Sequence, residues 1–338
     1  MGNVYIAWAA ALKKLGIEPV VPPSTNKHTI ELASKYSPDS ICLPYKLVLG
    51  NFLQAIENGA DYVAMISSPG ICRLGEYGQS IKNVMQDLGC EDKYVQLDLY
   101  GGFKSIYEFL GKISGVKNPC IIIRAINLAV RKVFIIDRLE NLFSYYRARE
   151  IVQGTAEKHF KKAMQIIYNT DSAFLLKNAE KTAAEEIKKT QIDKNRDVLK
   201  VDITGEIFLV QDSYSNQNIE KELGRMGVQT RRSLTVSGFI KDAIIPKAFK
   251  KGETHLERAF RMAKPYLMRD IGGDALESVS DVAFANEKGT DGIIHVSPFT
   301  CMPEIMSQNI FPTMRLDHDI PILPLIMDEQ TGRAGYIT

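Results

Sequence analysis

The feature that most constrains the fold is an alternation of short apolar runs with amphipathic helical stretches, present in both the first and the last third of the chain. EPVVP (18–22), ICLP (41–44), DYVAMI (61–66) and YVQLDL (94–99) read as strands. Helix-period segments near residues 3–15, 29–36, 45–57 and up to 88 separate them. Strands joined through helices cannot pair as hairpins, so crossover connections and a parallel sheet are implied. Strand character returns at DVLKVDI (197–203), EIFLV (206–210), DGIIHV (291–296) and IPILPLI (320–326), with helices expected near 219–226, 255–266 and 274–285.

Residues 103–195 are different, holding 3.6-period segments such as LFSYYRAREIVQGTAEKHFKKAMQII and almost no two-residue alternation. The chain is therefore read as α/β, with a first lobe at 1–102, an inserted helical domain at 103–195 and a second lobe at 196–338. A length of 338 residues, 45% of them apolar, suffices for a core divided over two or three domains.

A formal net charge of +2 argues against nucleic acid as a partner. The longest apolar stretch, 120–136, is broken by Arg124, Arg131 and Lys132, which argues against a membrane span. The start, MGNVYIAWAAALKKLG, has no basic flank or small-residue cleavage site, and Ile6 stands where myristoylation wants Ser or Thr, so a cytoplasmic location is expected. The first element is a helix with no strand before it, and GYIT follows directly on an α/β loop. Both ends are therefore expected to be trimmed or completed by a partner.

Five cysteines, at 42, 72, 90, 120 and 301, are an odd number too thinly spread for a disulfide framework. Cys42 precedes Pro44 and a helix, whose amide dipoles would favour a thiolate. Cys72 lies in the glycine-rich loop SSPGICRLGEYG after one expected strand, and Cys301 lies in SPFTCMPE after another. All three are expected at carboxyl ends of strands, where open parallel sheets collect their ligands. Thiolates suit an iron–sulfur cluster, zinc or copper, and a zinc site usually has closer-spaced ligands. The plainer alternative is that each is a small buried apolar residue. That alternative is preferred for Cys90, after Gly89, and Cys120, after Pro119.

Over nearly its whole length the chain resembles the 2-hydroxyglutaryl-CoA dehydratase D-component family, particularly its shorter CoA-enzyme activase-related, double-cubane-like branch. The resemblance is carried by MGNVYIA, YSPDSICLPYKLVLGNFLQAIENGAD, GICRLGEYG, ITGEIFLVQDSYSN, IGGDALESV, TDGIIHVSPFTCMPEIMSQNIFP and IPILPLIMDEQTGRAG. CLPYKLVLGN and HVSPFTCMPEI are the most specific of these. The resemblance implies two flavodoxin-like parallel-sheet lobes with a helical part, and Cys42, Cys72 and Cys301 as ligands of a [4Fe-4S] cubane, bare or sulfide-bridged to further cubanes. It also implies a separate ATP-hydrolysing activator of actin/Hsp70 fold that carries its own cubane and delivers low-potential electrons. A homodimer or a complex of related subunits is expected, with a small-molecule substrate that the sequence does not specify. Three functions fit: the electron-accepting, substrate-reducing component of such a system, a 2-hydroxyacyl-CoA dehydratase subunit, or a non-catalytic cluster carrier.

Around these cysteines, Arg73 would add positive charge beside a cluster, and backbone amides of 68–73 and 298–302 would donate to its sulfur atoms. His295 is a candidate proton donor or sulfur hydrogen-bonding group, and Glu304 either a helix cap or a proton-transfer group. Glu206 and Asn216 read first as loop-closing residues, and Asp328 with Glu329 as a turn or subunit contact. Gly272 and Gly273 could form a phosphate nest, but with neither a Walker A motif nor GxGxxG, direct ATP binding is not expected.

Overall fold

A computed structural model describes residues 2–67, 72–98, 102–243 and 253–332. The first part runs α1 (Tyr5–Lys14), α2 (Lys27–Ser34), α3 (Leu43–Glu57), β1 (Val63–Ser67), α4 (Leu74–Asp87) and β2 (Tyr94–Asp98). Strands β1 and β2 pair in parallel, from Val63 opposite Tyr94 to Ser67 opposite Asp98. Next come α5 (Phe103–Ser114), α6 (Pro119–Arg149), α7 (Thr155–Tyr168) and α8 (Leu176–Lys188). The last part is β3 (Lys200–Gly205), α9 (Ile207–Gln211), α10 (Ile219–Arg225), β4 (Gln229–Arg232), α11 (Val236–Ala243), α12 (His255–Ala263), α13 (Ala275–Phe284), β5 (Gly292–Pro298), α14 (Met302–His318) and β6 (Ile322–Met327). Its four strands form a parallel sheet in the order β4-β3-β5-β6. The expected α/β architecture with parallel sheets and many helices is present. No helix among the described residues is long and apolar enough to cross a membrane.

Local chemistry accounts for the departures from the sequence reading. EPVVP is not a strand: Pro19 and Pro22 have no amide to donate to a ladder. ICLP is not a strand either, because Cys42 caps α3 and Pro44 occupies its first turn, a position proline favours. EIFLV is the helix α9, because the Glu206 carboxylate accepts from the amides of Phe208 and Leu209 and so starts a turn. The strand β4, QTRR, has no apolar alternation in its sequence. It lies at the sheet edge, where Arg231 bonds Asp202 of β3 and Arg232 bonds Glu140 and Glu220.

Two junctions position the site. Leu43 and Leu47 of α3 pack with Ile203, Leu209, Val296 and Met327, so the helix that begins at Cys42 is seated on the four-stranded sheet. Burying a leucine such as Leu47 contributes about 1.5–3 kcal/mol. Lys46, also on α3, is 1% exposed and donates to Glu329 Oε1 at 2.6 Å, just past the end of β6. Strand β3 meets β5 at Gly205, where φ is +123° and an added β-carbon would collide with the Val296 carbonyl oxygen. Elsewhere α6 packs along α1, α7 and α8 and reaches the sheet edge, where Ser144 Oγ donates to the Thr230 carbonyl.

Candidate functional site

Three of the cysteines stand at the starts of three helices. Cys42 is the N-cap of α3, Cys301 is the N-cap of α14, and Cys72 precedes Arg73, the N-cap of α4. Cys42 and Cys301 share a local pattern, Cys-x-Pro, in which proline sits within the first helical turn and the cysteine is held extended before it. No regular strand precedes Cys42, contrary to expectation, whereas Cys301 does follow β5. All five cysteines are free, Cys42 and Cys301 buried, Cys72 and Cys90 partly buried, and Cys120 exposed at the start of α6.

The neighbours of the three converge on one backbone atom. The Ser40 carbonyl, two residues before Cys42, accepts from Arg73 Nη1 at 3.1 Å and from Thr300 Oγ1 at 3.3 Å. Arg73 follows Cys72 and Thr300 precedes Cys301. Thr300 has φ +67°, a left-handed conformation that a β-branched residue rarely adopts, so the turn into Cys301 is held under strain. On the far side, a β-carbon built on Gly273 would lie 2.7 Å from Pro303 and 3.8 Å from the Cys72 β-carbon. Gly273 therefore serves close packing between Cys72 and the start of α14, while the Gly272 amide donates to Asp270. The described part of the expected amide set, 72–73 and 298–302, flanks these contacts, and 68–71 lie outside the described residues.

Burial raises the pKa of all three thiols. For Cys42 the next influence is the Tyr77 hydroxyl, 2.6 Å from its sulfur, which opposes the rise. The amides of Leu74 and Glu304 oppose it at Cys72 and Cys301, and Glu206 reinforces it at all three. The helix amide dipoles were expected to favour a thiolate at Cys42, and burial there acts in the opposite direction.

An acidic group lies behind the sulfur atoms. Burial and the charge of Asp274 push Glu206 up to about 8, although the amides of Phe208 and Leu209 pull the other way. Burial and Glu304 push Asp274 up to about 7 while it accepts from the Ile207 amide at 2.9 Å. Glu304 is buried and does not serve as a cap; its Oε2 accepts from Ser278 Oγ and pairs with His295 Nε2. Glu304 Oε1 and His295 Nδ1 are buried without hydrogen-bond partners. The two residues singled out in HVSPFTCMPE are therefore one buried pair, against Phe311 on one side and Cys301 on the other.

The remaining expected residues make contacts elsewhere. Asn216 bonds the Leu209 carbonyl, Asp328 closes a turn with Gln330 and Thr331, and Glu329 binds Lys46. A cavity of about 310 Å³ lies away from the cysteines, lined by Arg231, Arg258, Lys288, Asp202 and Asp281. Arg231 pairs there with Asp202 and Lys288 with Asp281. Tyr77, Asp274 and Ser278 were not found by sequence reasoning. Tyr77 sits 35 residues from Cys42 in an ordinary amphipathic helix, and no spacing rule connects them.

Residues 1–85 match the family model described as the CoA enzyme activase uncharacterised domain. The chain carries a CoA enzyme activase-related domain. This fits the 2-hydroxyacyl-CoA dehydratase and CoA-enzyme activase-related family. The activase-related domain contains Cys42, Cys72, Arg73 and Tyr77, and Cys301 comes to it from outside the matched residues. No curated protein matches the chain.

Among the described residues no group of three or more His, Cys, Asp or Glu side chains is placed to hold a metal ion. An iron–sulfur cluster makes a different demand, because its thiolates bind separate irons around a larger body. The donor set fits it in kind: three soft ligands free of disulfides, beside the N-termini of α3, α4 and α14, gathered about Ser40 and Gly273.

Proposed function

We propose that this chain is the electron-accepting, substrate-reducing component of an ATP-dependent low-potential reductase system, with Cys42, Cys72 and Cys301 as ligands of an iron–sulfur cluster. The observation that carries the reading is the convergence of Arg73 and Thr300 on the Ser40 carbonyl, which ties the surroundings of the three cysteines to one point. When bound, such a cluster supplies one-electron chemistry at a potential set by burial and by hydrogen bonds to sulfur. The chain's own contribution is to exclude water around Cys42 and Cys301, to aim the N-termini of three helices at the site, and to bury Glu206 and Asp274 beside it, where desolvation raises the pKa of both.

The lobe order β4-β3-β5-β6 is 2-1-3-4 in the lobe's own sequence, which supports a flavodoxin-like reading of this half. Its topological switch point lies between β3 and β5, where Glu206 and Cys301 emerge. Phe299, Met302, Ile305 and Met306 form an exposed apolar surface next to Cys301. That surface supports docking of a protein donor, for which we propose a separate ATP-hydrolysing activator.

Anaerobic reconstitution with iron and sulfide tests the reading. Brown protein with about four irons and four sulfides per chain is expected, and colourless protein with stoichiometric zinc overturns it. Anaerobic CoA binding would move the assignment to a dehydratase subunit.

A further inference from the structure

Tyr77 is buried in α4, at 3% exposure, and its hydroxyl lies 2.6 Å from the Cys42 sulfur. The ring is locked from behind. It meets the Tyr45 ring edge-on at 5.2 Å and 84°, and Tyr45 is itself tied through its own hydroxyl to Ser80 Oγ at 2.8 Å. Tyr94 secures the same helix by donating to the Gly78 carbonyl. The Tyr77 hydroxyl is therefore delivered to the sulfur by packing that the sulfur does not itself provide. Either atom can donate while Cys42 is a thiol. A sulfur bound to iron carries no proton, so the hydroxyl is then the donor.

From this geometry we infer that Tyr77 is a positioning residue that donates a hydrogen bond to the Cys42 sulfur and raises the reduction potential of the cluster bound there. The inference rests on the iron–sulfur reading above and deepens it. A donor to a ligand sulfur withdraws electron density from the iron it binds and favours the reduced, more negative state of the cluster. Here the donor is shielded from solvent and held at fixed distance, conditions that strengthen the electrostatic effect of a hydrogen bond. It also makes the Cys42 corner unlike the other two, whose helix-start amide neighbours, Leu74 and Glu304, are backbone groups that no substitution removes.

The test is a redox titration of reconstituted wild type, Tyr77→Phe and Tyr45→Phe, with iron counted in each. Tyr77→Phe keeps the ring and its packing and removes only the donor. It should hold as much iron as wild type and show a more negative midpoint potential. Tyr45→Phe loses a hydroxyl that faces Ser80 and should leave the potential where it was. An unshifted Tyr77→Phe with full iron overturns the inference and leaves the cluster reading intact. Equal shifts in both variants, or reduced iron in Tyr77→Phe, also overturn it, because the residue would then support packing or assembly. Wild type that takes up no iron removes the cluster reading itself, and this inference with it. If Tyr77→Phe does not fold, 3-fluorotyrosine at position 77 supplies a stronger donor in the same ring. The potential must then rise, and a value unchanged from wild type overturns the inference.

Discussion

The Lys46–Glu329 pair offers an asymmetric prediction that follows from burial. The Lys46 side chain is 1% exposed and that of Glu329 29% exposed, with 2.6 Å between Nζ and Oε1. Glu329→Gln leaves an ammonium sealed in the protein, with the Asp39 carbonyl at 3.5 Å and a neutral amide in place of its counter-charge. Losing one partner of a buried ion pair costs about 3–5 kcal/mol, and Glu329's partial exposure places the expected loss near the bottom of that range, about 3 kcal/mol. Lys46→Met removes the buried charge and keeps an unbranched chain of similar length at a position that is 1% exposed. The carboxylate left behind reaches water, so the expected loss is below about 1 kcal/mol. With Met at position 46, adding Glu329→Gln should cost almost nothing, giving a coupling of about 3 kcal/mol in the double-mutant cycle. Urea denaturation midpoints of the four proteins at matched m-values measure this. Lys46→Met as damaging as Glu329→Gln would refute the argument that the cost lies in the stranded lysine.

Three further outcomes follow. Gly205→Ala should cost at least about 3 kcal/mol, from a left-handed residue and the displaced Glu206 amide to Val296 carbonyl bond, and unfolding midpoints within about 1 kcal/mol of wild type would contradict it. Lys132 is sealed between α6 and the end of α7, donating to the Tyr168 carbonyl, and burial lowers it from 10.5 to about 8. Between those two values the unfolded chain binds the extra proton, so stability should rise from pH 8 to 10.5, by up to about 3 kcal/mol, and Lys132→Met should flatten that rise in pH-dependent denaturation. Alanine at Cys42, Cys72 or Cys301 should lower bound iron, whereas Cys90→Ala and Cys120→Ala should not, and equal iron in all five would contradict the ligand assignment.

The helices of 103–188 were readable because their apolar residues recur at one face over several turns, as in α6 and α7. Strands β1, β2, β3, β5 and β6 were readable as short apolar runs between helices. EIFLV was not, since five apolar-rich residues fit a strand or a helix turn equally, and the outcome depends on where the Glu206 carboxylate points. β4 was hidden by its arginines, which are stabilised by acids from β3, α6 and α10, distant in sequence. At the site, the cysteine settings could be read from glycine, proline and strand ends. The pairing of His295 with Glu304 could be suspected from one motif. The Tyr77 contact and the Asp274 position depend on how helices lie across one another, which no local pattern encodes.

The Ser40 carbonyl acts as a common reference point for the surroundings of the three sulfur atoms. Parts located from separate faces accumulate each face's error, whereas parts located from one datum share it. Arg73 and Thr300 gauge their positions from the same oxygen, and Cys42 stands two residues along the same chain. A displacement of that loop therefore carries the neighbours of all three sulfur atoms in one direction. Their spacing, the dimension a rigid inorganic body would test most severely, is buffered against drift in the much larger protein around it.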